Sequence, residues 1–478
     1  MKNIEKNEKI IAGIAEGEKK MQYFAAVILA AGEGKRMKSK NSKVTHMVCG
    51  KPLVKWVHRA AKEAGVSDSI IVIGHKAEQV KACMGEDAVY ALQEEQLGTG
   101  HAVMKCESFL KGKSGTVMVL YGDTPLITSD TLSETIKIHN SNNNTATVIT
   151  AELADPTGYG RIIRDSKGQL KKIVEQKDAS EEELRIHEIN SGMYCFDIEH
   201  LLSALQKLTN NNNQGEYYLT DTLEILISEG HKVGIYKTQN TDDILGINDK
   251  VQLYTAEKIM KKRINEGFMR NGVTLIDPET SYIDADARIG RDTVVYPNTI
   301  IEGSTVIGED CVIGPNSRIV ESTVEDSSEI ANSVVLKSTI GQHTKVGPFA
   351  YVRPDSHIGS DVKIGDFVEV KKSTIGDKTK ISDLTYVGDA EVGKNVNLGC
   401  GVVFSNYDGK NKFKTVVEDN CFIGGNVNLV SPVVVKKGAY IAAGSTITEE
   451  VPENSLAIAR SRQTIKEDWV IKKGKQRG

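Results

Sequence analysis

The pattern of apolar and polar positions along this chain changes character once, near residue 270. Before that point short apolar runs alternate with helical spacings. Ala26–Leu29 is an apolar run with β-branched residues, which predicts a strand buried on both faces of a parallel sheet. Val54–Ala64 carries helical spacing, and Ser69–Gly74, Thr116–Tyr121 and Ala146–Ala151 read as further strands. Such alternation predicts a layered α/β domain over residues 21–250, Rossmann-like in plan. Ligands on such sheets bind at the carboxyl ends of the strands. Residues 251–272 follow as a predicted linker helix: Leu253, Ala256, Met260, Ile264 and Phe268 keep helical spacing, and Asn271-Gly272 is a stop signal.

Beyond the helix the period becomes six. Ile289, Val295, Ile301, Ile307, Ile313 and Ile319 recur without a slip. After an irregular stretch the period resumes at Ile340, Val346, Val352, Ile358, Ile364 and Val370. One-residue slips then lead to Ile375, Ile381 and Val387, and to Val392, Leu398 and Phe404. Six is neither a helical period nor a simple alternation. It predicts a parallel β-helix in which each hexapeptide forms one flat side with its aliphatic residue inward. Three sides close a coil of about 18 residues, so the stretch from 281 to 450 should make about nine or ten coils. The domain is placed at 273–460, with a tail at 461–478.

Composition narrows the classes. A chain of 478 residues suggests two or three domains. A formal charge of −4 carries no basic excess, so nucleic acid is not an expected partner. No apolar run approaches the roughly eighteen residues of a membrane span, so a membrane is not expected either. Seven scattered cysteines without a C-x-x-C pair point to reduced thiols and a cytoplasmic protein. The 43 glycines suit many tight turns. Residues 1–20 alternate Lys and Glu with few apolar positions and precede Met21, which predicts a dispensable extension.

Candidate chemistry gathers where predicted strands end. Gly32-Glu33-Gly34 closes the first strand, where glycines let backbone N–H groups approach a ligand, and Arg36 follows as a phosphate-pairing arm. The spacing is not that of a Walker A loop, and G-x-G-x-x-G is incomplete. Asp123 ends a second strand beside Gly122, where one carboxylate with a side-chain amide can hold magnesium. Asn248 could supply that amide or could cap the following helix.

Leu29-Ala30-Ala31-Gly32-Glu33-Gly34-Lys35-Arg36-Met37, followed by Lys43 and Gly50-Lys51-Pro52, resembles the opening signature of sugar-1-phosphate nucleotidylyltransferases. Lys35 stands where that family usually has Thr, and Ser42-Lys43-Val44-Thr45-His46 where it has Pro-Lys-Val-Leu-His. Further segments match: Gln93–Ala102, Tyr121–Pro125, Asp155–Arg161, Ile173–Ala179 and Glu188–Gly192. From about Met21 to Trp469 the chain is most similar to the bifunctional N-acetylglucosamine-1-phosphate uridyltransferases/glucosamine-1-phosphate acetyltransferases. That resemblance implies a homotrimer with a left-handed β-helix, using Mg2+ and acetyl-CoA, that makes UDP-N-acetylglucosamine for cell-wall synthesis. It implies that Leu29, Ala30, Ala31, Gly32, Gln93, Gly98 and Thr99 hold the uridine nucleotide, with Tyr121 and Gly122 alongside. It further implies that Gly160, Glu175 and Asn190 contact the sugar, Asp123 and Asn248 the metal, and Arg36 and Lys43 the triphosphate.

In the second half the matches are Arg353-Pro354, Phe367–Lys372, Leu384–Glu391, Asn397 and Asn406–Gly409. The resemblance implies that Arg353 and Lys371 clamp a sugar phosphate and that Tyr386, Asn397, Asn406 and Tyr407 line the sugar site. Cys400, Asn406, Tyr407, Gly425, Ala443 and Arg460 would lie beside acetyl-CoA. Three positions depart from the family. Asp383 stands where its basic histidine belongs, Cys400 where alanine is usual, and Gly425 where serine is usual. An aspartate accepts a proton less readily than an imidazole at neutral pH, so slow or silent acetyl transfer is the expectation. His343 and His357, the only histidines beyond residue 250, read as repeat-surface residues. Two alternatives stay open on sequence alone: a nucleotidylyltransferase for another sugar or base with a purely structural β-helix, and a non-catalytic sugar-nucleotide scaffold.

Overall fold

The computed structural model describes residues 23–212 and 214–475, so the predicted extension at 1–20 lies outside the described residues. The chain divides into two compact units, one ending at Met260 and the other beginning at Lys261. The boundary falls inside the predicted linker helix, which runs Lys250–Arg270.

The first unit is built on a twisted sheet. Its strands are β1 (Tyr23–Leu29), β2 (Asp68–Ile73), β3 (Val89–Leu92), β4 (Gly115–Tyr121), β5 (Ala146–Glu152), β6 (Arg161–Arg164), β7 (Leu170–Val174), β8 (Glu188–Asp197) and β9 (Val233–Lys237). The main order is β9-β5-β8-β4-β1-β2-β3, with β6 and β7 as an antiparallel pair off β8. β1 runs parallel to both β2 and β4, and β8 runs antiparallel to β4 and β5. Alternate residues of β1 feed two separate cores, Ala25 and Val27 on one face and Ala26 and Ile28 on the other. That is why its sequence is continuously apolar. After β1 the chain builds β2 and β3 to one side and then returns to place β4 on the other. The carboxyl ends of β1 and β4 therefore flank a switch point, where such sheets open a crevice.

The second unit is a left-handed β-helix. Three parallel sheets of 11, 10 and 9 strands stack coil on coil. The aliphatic residues of the six-residue period point inward as expected: Val295 through Phe404 are buried in one continuous core, with Ile289 half-buried against it. The stretch that looked irregular in sequence belongs to the same helix. Val324, Ile330 and Val335 are buried core residues, and three of the four steps between Ile319 and Ile340 are simply one residue shorter. The chain leaves the coil at Asn406–Phe413 and returns with Val417 and Ile423.

Two features of the coils are not visible as an aliphatic period. Buried hydroxyls line the corners, as where Ser328 Oγ accepts from the Thr344 N–H and Thr344 Oγ1 accepts from the Val362 N–H. The corners themselves turn at residues with positive φ, mostly Asn, Asp, Lys or Phe. The glycines that follow the inward aliphatics do a different job. A Cβ on Gly290 would lie 2.6 Å from the backbone of Gly308 in the next coil, so Gly290, Gly308, Gly341, Gly359 and Gly376 permit close stacking and do not make the turns, whereas Gly314 and Gly347 take positive φ.

Candidate active sites

In the first unit the loop after β1 and the end of β4 open onto a cavity of 380 Å³. Its lining contains Leu29, Ala30, Ala31, Gly32, Lys43, Gln93, Gly98, Thr99, Tyr121, Asp123 and Asn248, so eleven expected residues come together. Backbone bonds hold this arrangement. The Gly122 N–H donates to the Leu29 carbonyl (2.9 Å) and the Gln93 N–H to the Ile73 carbonyl (2.8 Å). Gly122 itself lies beneath the crevice, where a Cβ would press on the Leu29 carbonyl at 3.1 Å, and it does not line the cavity. Gln93 is buried and donates through Nε2 to the Gly98 carbonyl at 3.1 Å.

The lining also includes Val44, Gln96, Ala102 and Glu216, which sequence reasoning did not single out. Glu216 arrives from more than a hundred residues away. The Tyr217 N–H donates to the Leu97 carbonyl and the Gly100 N–H to the Tyr217 carbonyl, each at 2.8 Å. Gly98, at φ +105, leaves this segment room: a Cβ there would lie 2.6 Å from the Tyr217 carbonyl oxygen. Arg36 is exposed on a single helical turn and is not part of the lining.

Asp123 and Asn248 converge although they are far apart in sequence. The Ile247 N–H donates to the Asp123 carbonyl (2.9 Å), which sets Asn248 beside the strand end. Capping of the following helix falls to Asp249, whose Oδ1 accepts from the Val251 and Gln252 N–H groups, both at 2.9 Å. The Asn248 side chain instead turns to Lys43, whose Nζ donates to Asn248 Oδ1 at 3.1 Å and pairs with Asp123 Oδ2. One cation therefore already meets a carboxylate and an amide oxygen at a single point. That is a donor set suited to a hard divalent ion that keeps some of its waters.

The three expected sugar contacts also assemble. The Asn190 N–H donates to the Gly160 carbonyl at 2.9 Å, and a Cβ on Gly160 would lie 3.5 Å from Glu175 Oε1. A register shift in β8 between Asn190 and Tyr194 lets the Asn190 side chain accept from the Gly192 N–H and donate to the Tyr194 hydroxyl. Burial, then Asp178 and Asp221, push the Glu175 carboxyl above its ordinary range. Burial also raises the Tyr121 hydroxyl, with Glu175 and Asp123 both near enough to contribute.

A neighbouring carboxylate makes a pH-dependent prediction. Burial, with Glu224 and Asp178 nearby, raises Asp221 to about 6. The folded chain then keeps a proton that the unfolded chain has already released, so stability falls as pH rises from the ordinary carboxylate range through about 6. Asp221→Asn should raise the unfolding temperature of this unit by about 1–2 °C at pH 7.5 and leave it unchanged at pH 4. Calorimetry at the two pH values checks it.

In the second unit adjacent coils place Tyr351, Glu369 and Tyr386 in register. Arg353 Nη1 donates to Glu369 Oε1 at 2.7 Å, and Lys371 Nζ pairs with Asp389 Oδ2 at 2.9 Å. Asn406 Nδ2 also donates to Asp389 Oδ2, at 2.5 Å. Burial opposes the charge on Asp389, yet Lys371 and Asn406 hold its carboxyl below the ordinary range. Asp389 thus organises the expected clamp, a role that sequence reasoning missed. Asn397 lies on another sheet, paired with Lys380 and Phe422, and Tyr407 is exposed on the loop that leaves the coil. Cys400, Gly425, Ala443 and Arg460 form one column: the Asn426 N–H donates to the Cys400 carbonyl, the Gly444 N–H to the Gly425 carbonyl, and Arg460 Cδ lies near Gly444. Cys400 is exposed and unpaired, and His343 and His357 are exposed as expected.

Asp383 occupies a recurring place in the coils. Its Oδ1 accepts from the Asp366 N–H at 3.4 Å, as Asp326 accepts from Glu309 (2.8 Å), Asp377 from Ser360 (3.1 Å) and Asp419 from Lys394 (2.7 Å). All four carboxylates cap the backbone of the preceding coil, and Asp383 makes the longest of these bonds. A bridging aspartate therefore suits this position of the repeat on structural grounds alone.

Comparison with known proteins agrees with both units. The nucleotidyl transferase family model matches residues 25–247, a bacterial transferase hexapeptide model matches 286–321, and the GMPPB C-terminal domain model matches 337–457. A bifunctional protein GlmU from Acetivibrio thermocellus is 66% identical over 454 residues, covering 95% of this chain and 98% of its own. Those of Caldanaerobacter subterraneus and Clostridioides difficile are 59% and 54% identical, each over 95% of this chain and 100% and 98% of their own. These relatives support neither alternative left open by the sequence nor the expectation of a silent second site. No helix among the described residues is long and apolar enough to cross a membrane. With such identity along nearly its whole length, the chain belongs to the bifunctional GlmU family, the uridyltransferase/acetyltransferase enzymes that its sequence resembles.

Proposed function

We propose that the first unit transfers UMP from UTP to N-acetylglucosamine 1-phosphate and that the second N-acetylates glucosamine 1-phosphate from acetyl-CoA. The observation that carries the first half is the meeting of Lys43, Asp123 and Asn248 in a crevice whose other lining residues are the expected nucleotide contacts. Asp123 and Asn248 hold the divalent ion, magnesium in this reading, which when bound neutralises the triphosphate. Leu29–Gly32, Gln93, Gly98 and Thr99 hold the nucleotide, while Gly160, Glu175 and Asn190 orient the sugar. A buried carboxylate suits hydroxyl donors. The attacking phosphate is already ionised at neutral pH, so the protein supplies position and charge and no general base is needed. Arg36 and Lys43 approach the phosphates as that charge moves.

In the second unit Arg353 and Lys371 take the sugar phosphate, Tyr386, Asn397 and Asn406 line the sugar, and the column from Cys400 to Arg460 receives acetyl-CoA. Asp383 takes the proton from the attacking amine. The assembly proposed is a homotrimer in the cytoplasm. Support comes from Phe349, Phe367 and Leu384, which stack along one corner at positive φ and remain 55%, 56% and 61% exposed. Bulky apolar groups aligned on an outer edge suit an interface with a second copy. The test supplies each substrate pair separately and measures pyrophosphate and thiol release, with sedimentation for the mass. Both products and a threefold mass are expected. Loss of either product from its own pair overturns that half.

A further inference from the structure

We infer that Lys43 and a divalent cation compete for Asp123 and Asn248, so that the lysine leaves these two oxygens toward the phosphates when metal binds. This rests on the reading of Asp123 and Asn248 as the metal ligands. Lys43 Nζ pairs with Asp123 Oδ2 and lies 3.1 Å from Asn248 Oδ1, with only 16% of the lysine side chain and 14% of the aspartate exposed. A small divalent ion binds such oxygens at about 2.0–2.1 Å. It would need the same point between the same two atoms, and two cations cannot share it.

The lysine is held there by its surroundings. The Ser42 N–H donates to Gln79 Oε1 at 2.6 Å, which anchors the backbone just before it. Gly34, at φ +65, lies so close that a Cβ would come within 2.7 Å of Lys43 Cβ, so the loop after β1 packs directly over the lysine stem. The same loop, through Gly32, borders the nucleotide cavity. A lysine displaced by metal therefore has the phosphate-facing side of this cavity as its nearest destination. Exchange couples the two ligands. Metal alone must compete with an internal cation, whereas metal arriving with a triphosphate offers that cation a new partner, which is positive cooperativity without a second protein site.

Two measurements on the full-length protein test this. The first is Mn2+ binding, without nucleotide, followed by electron paramagnetic resonance. Lys43→Met should bind Mn2+ about tenfold more tightly than the natural protein, as expected when a nearly buried competing ion pair is removed. Asp123→Asn should bind it more weakly. Equal or weaker binding by Lys43→Met, with binding lost in Asp123→Asn, overturns the exchange and leaves the ligand assignment standing. Undiminished binding by Asp123→Asn overturns the ligand assignment and the exchange with it. The second measurement needs no lysine variant: acetic anhydride labelling of Lys43, read by mass spectrometry. Mg2+ should raise its labelling several-fold in the natural protein and not in Asp123→Asn, where the pair is already broken. Labelling of the natural protein that Mg2+ leaves unchanged overturns the proposal.

Discussion

Pyrophosphate release from UTP and N-acetylglucosamine 1-phosphate is expected to fall about 10²–10³-fold in Asp123→Asn, the range seen when one preorganised electrostatic contact is removed from a reacting centre. The substitution keeps the shape of the strand end and one oxygen, but it removes the charge. Asn248 and an asparagine at 123 would then offer only neutral oxygens to a hard cation, a poor match for magnesium. Lys43 would also lose its carboxylate partner, leaving a mostly buried ammonium with the Asn248 amide. Both effects act on charge and not on packing, so the fold of the unit should hold. Acetyl transfer and sedimentation should not change, because the second unit keeps its own continuous core from Val273 to Val451. Near-normal pyrophosphate release at saturating Mg2+ would move the metal site elsewhere.

How much of this was legible in the sequence depends on whether a feature is local. The β-helix was, because every inward side chain is an aliphatic at a fixed step, and Val295 to Phe404 all reach the core. Its shorter sides were not: the five-residue steps to Val324, Val335 and Ile340 break the period while keeping the geometry, since a coil corner can lose a residue without moving the inward position. Corner residues were hidden for a related reason. The turn needs a positive φ and no particular side chain, so Asn298, Phe349, Lys378 and Leu384 all serve.

The nucleotide site divides in the same way. Leu29–Gly32 and Tyr121–Asp123 were readable because strands end there, and the sheet order then aligns those ends. Asn248 was ambiguous in sequence. The structure gives the cap to Asp249 and turns the Asn248 amide to Lys43. Glu216 left no trace, since only tertiary pairing of Leu97 with Tyr217 brings it to the cavity. Asp389 was similarly silent: its importance lies in receiving both Lys371 and Asn406, which come from the preceding and following coils.

Asp383 has one duty seen in the coils, the backbone cap, and one proposed, the base, and asparagine separates them. Its Oδ1 accepts the Asp366 N–H, and an amide oxygen can do the same. An amide cannot take a proton from the substrate amine. Asp383→Asn should therefore keep the unfolding temperature of the second unit while lowering thiol release from acetyl-CoA about 10²–10⁴-fold, the usual contribution of a positioned base. The KM for glucosamine 1-phosphate should barely move, because Arg353, Lys371 and Tyr386 are untouched. Asp383→Ala loses both duties and should show the same rate loss together with a lower unfolding temperature. If the carboxylate served only as one more coil cap beside Asp326, Asp377 and Asp419, the asparagine variant would keep both its stability and its rate. Full acetyl transfer by Asp383→Asn across pH 6 to 9 would thus remove Asp383 from the chemistry and place the base elsewhere in the cleft.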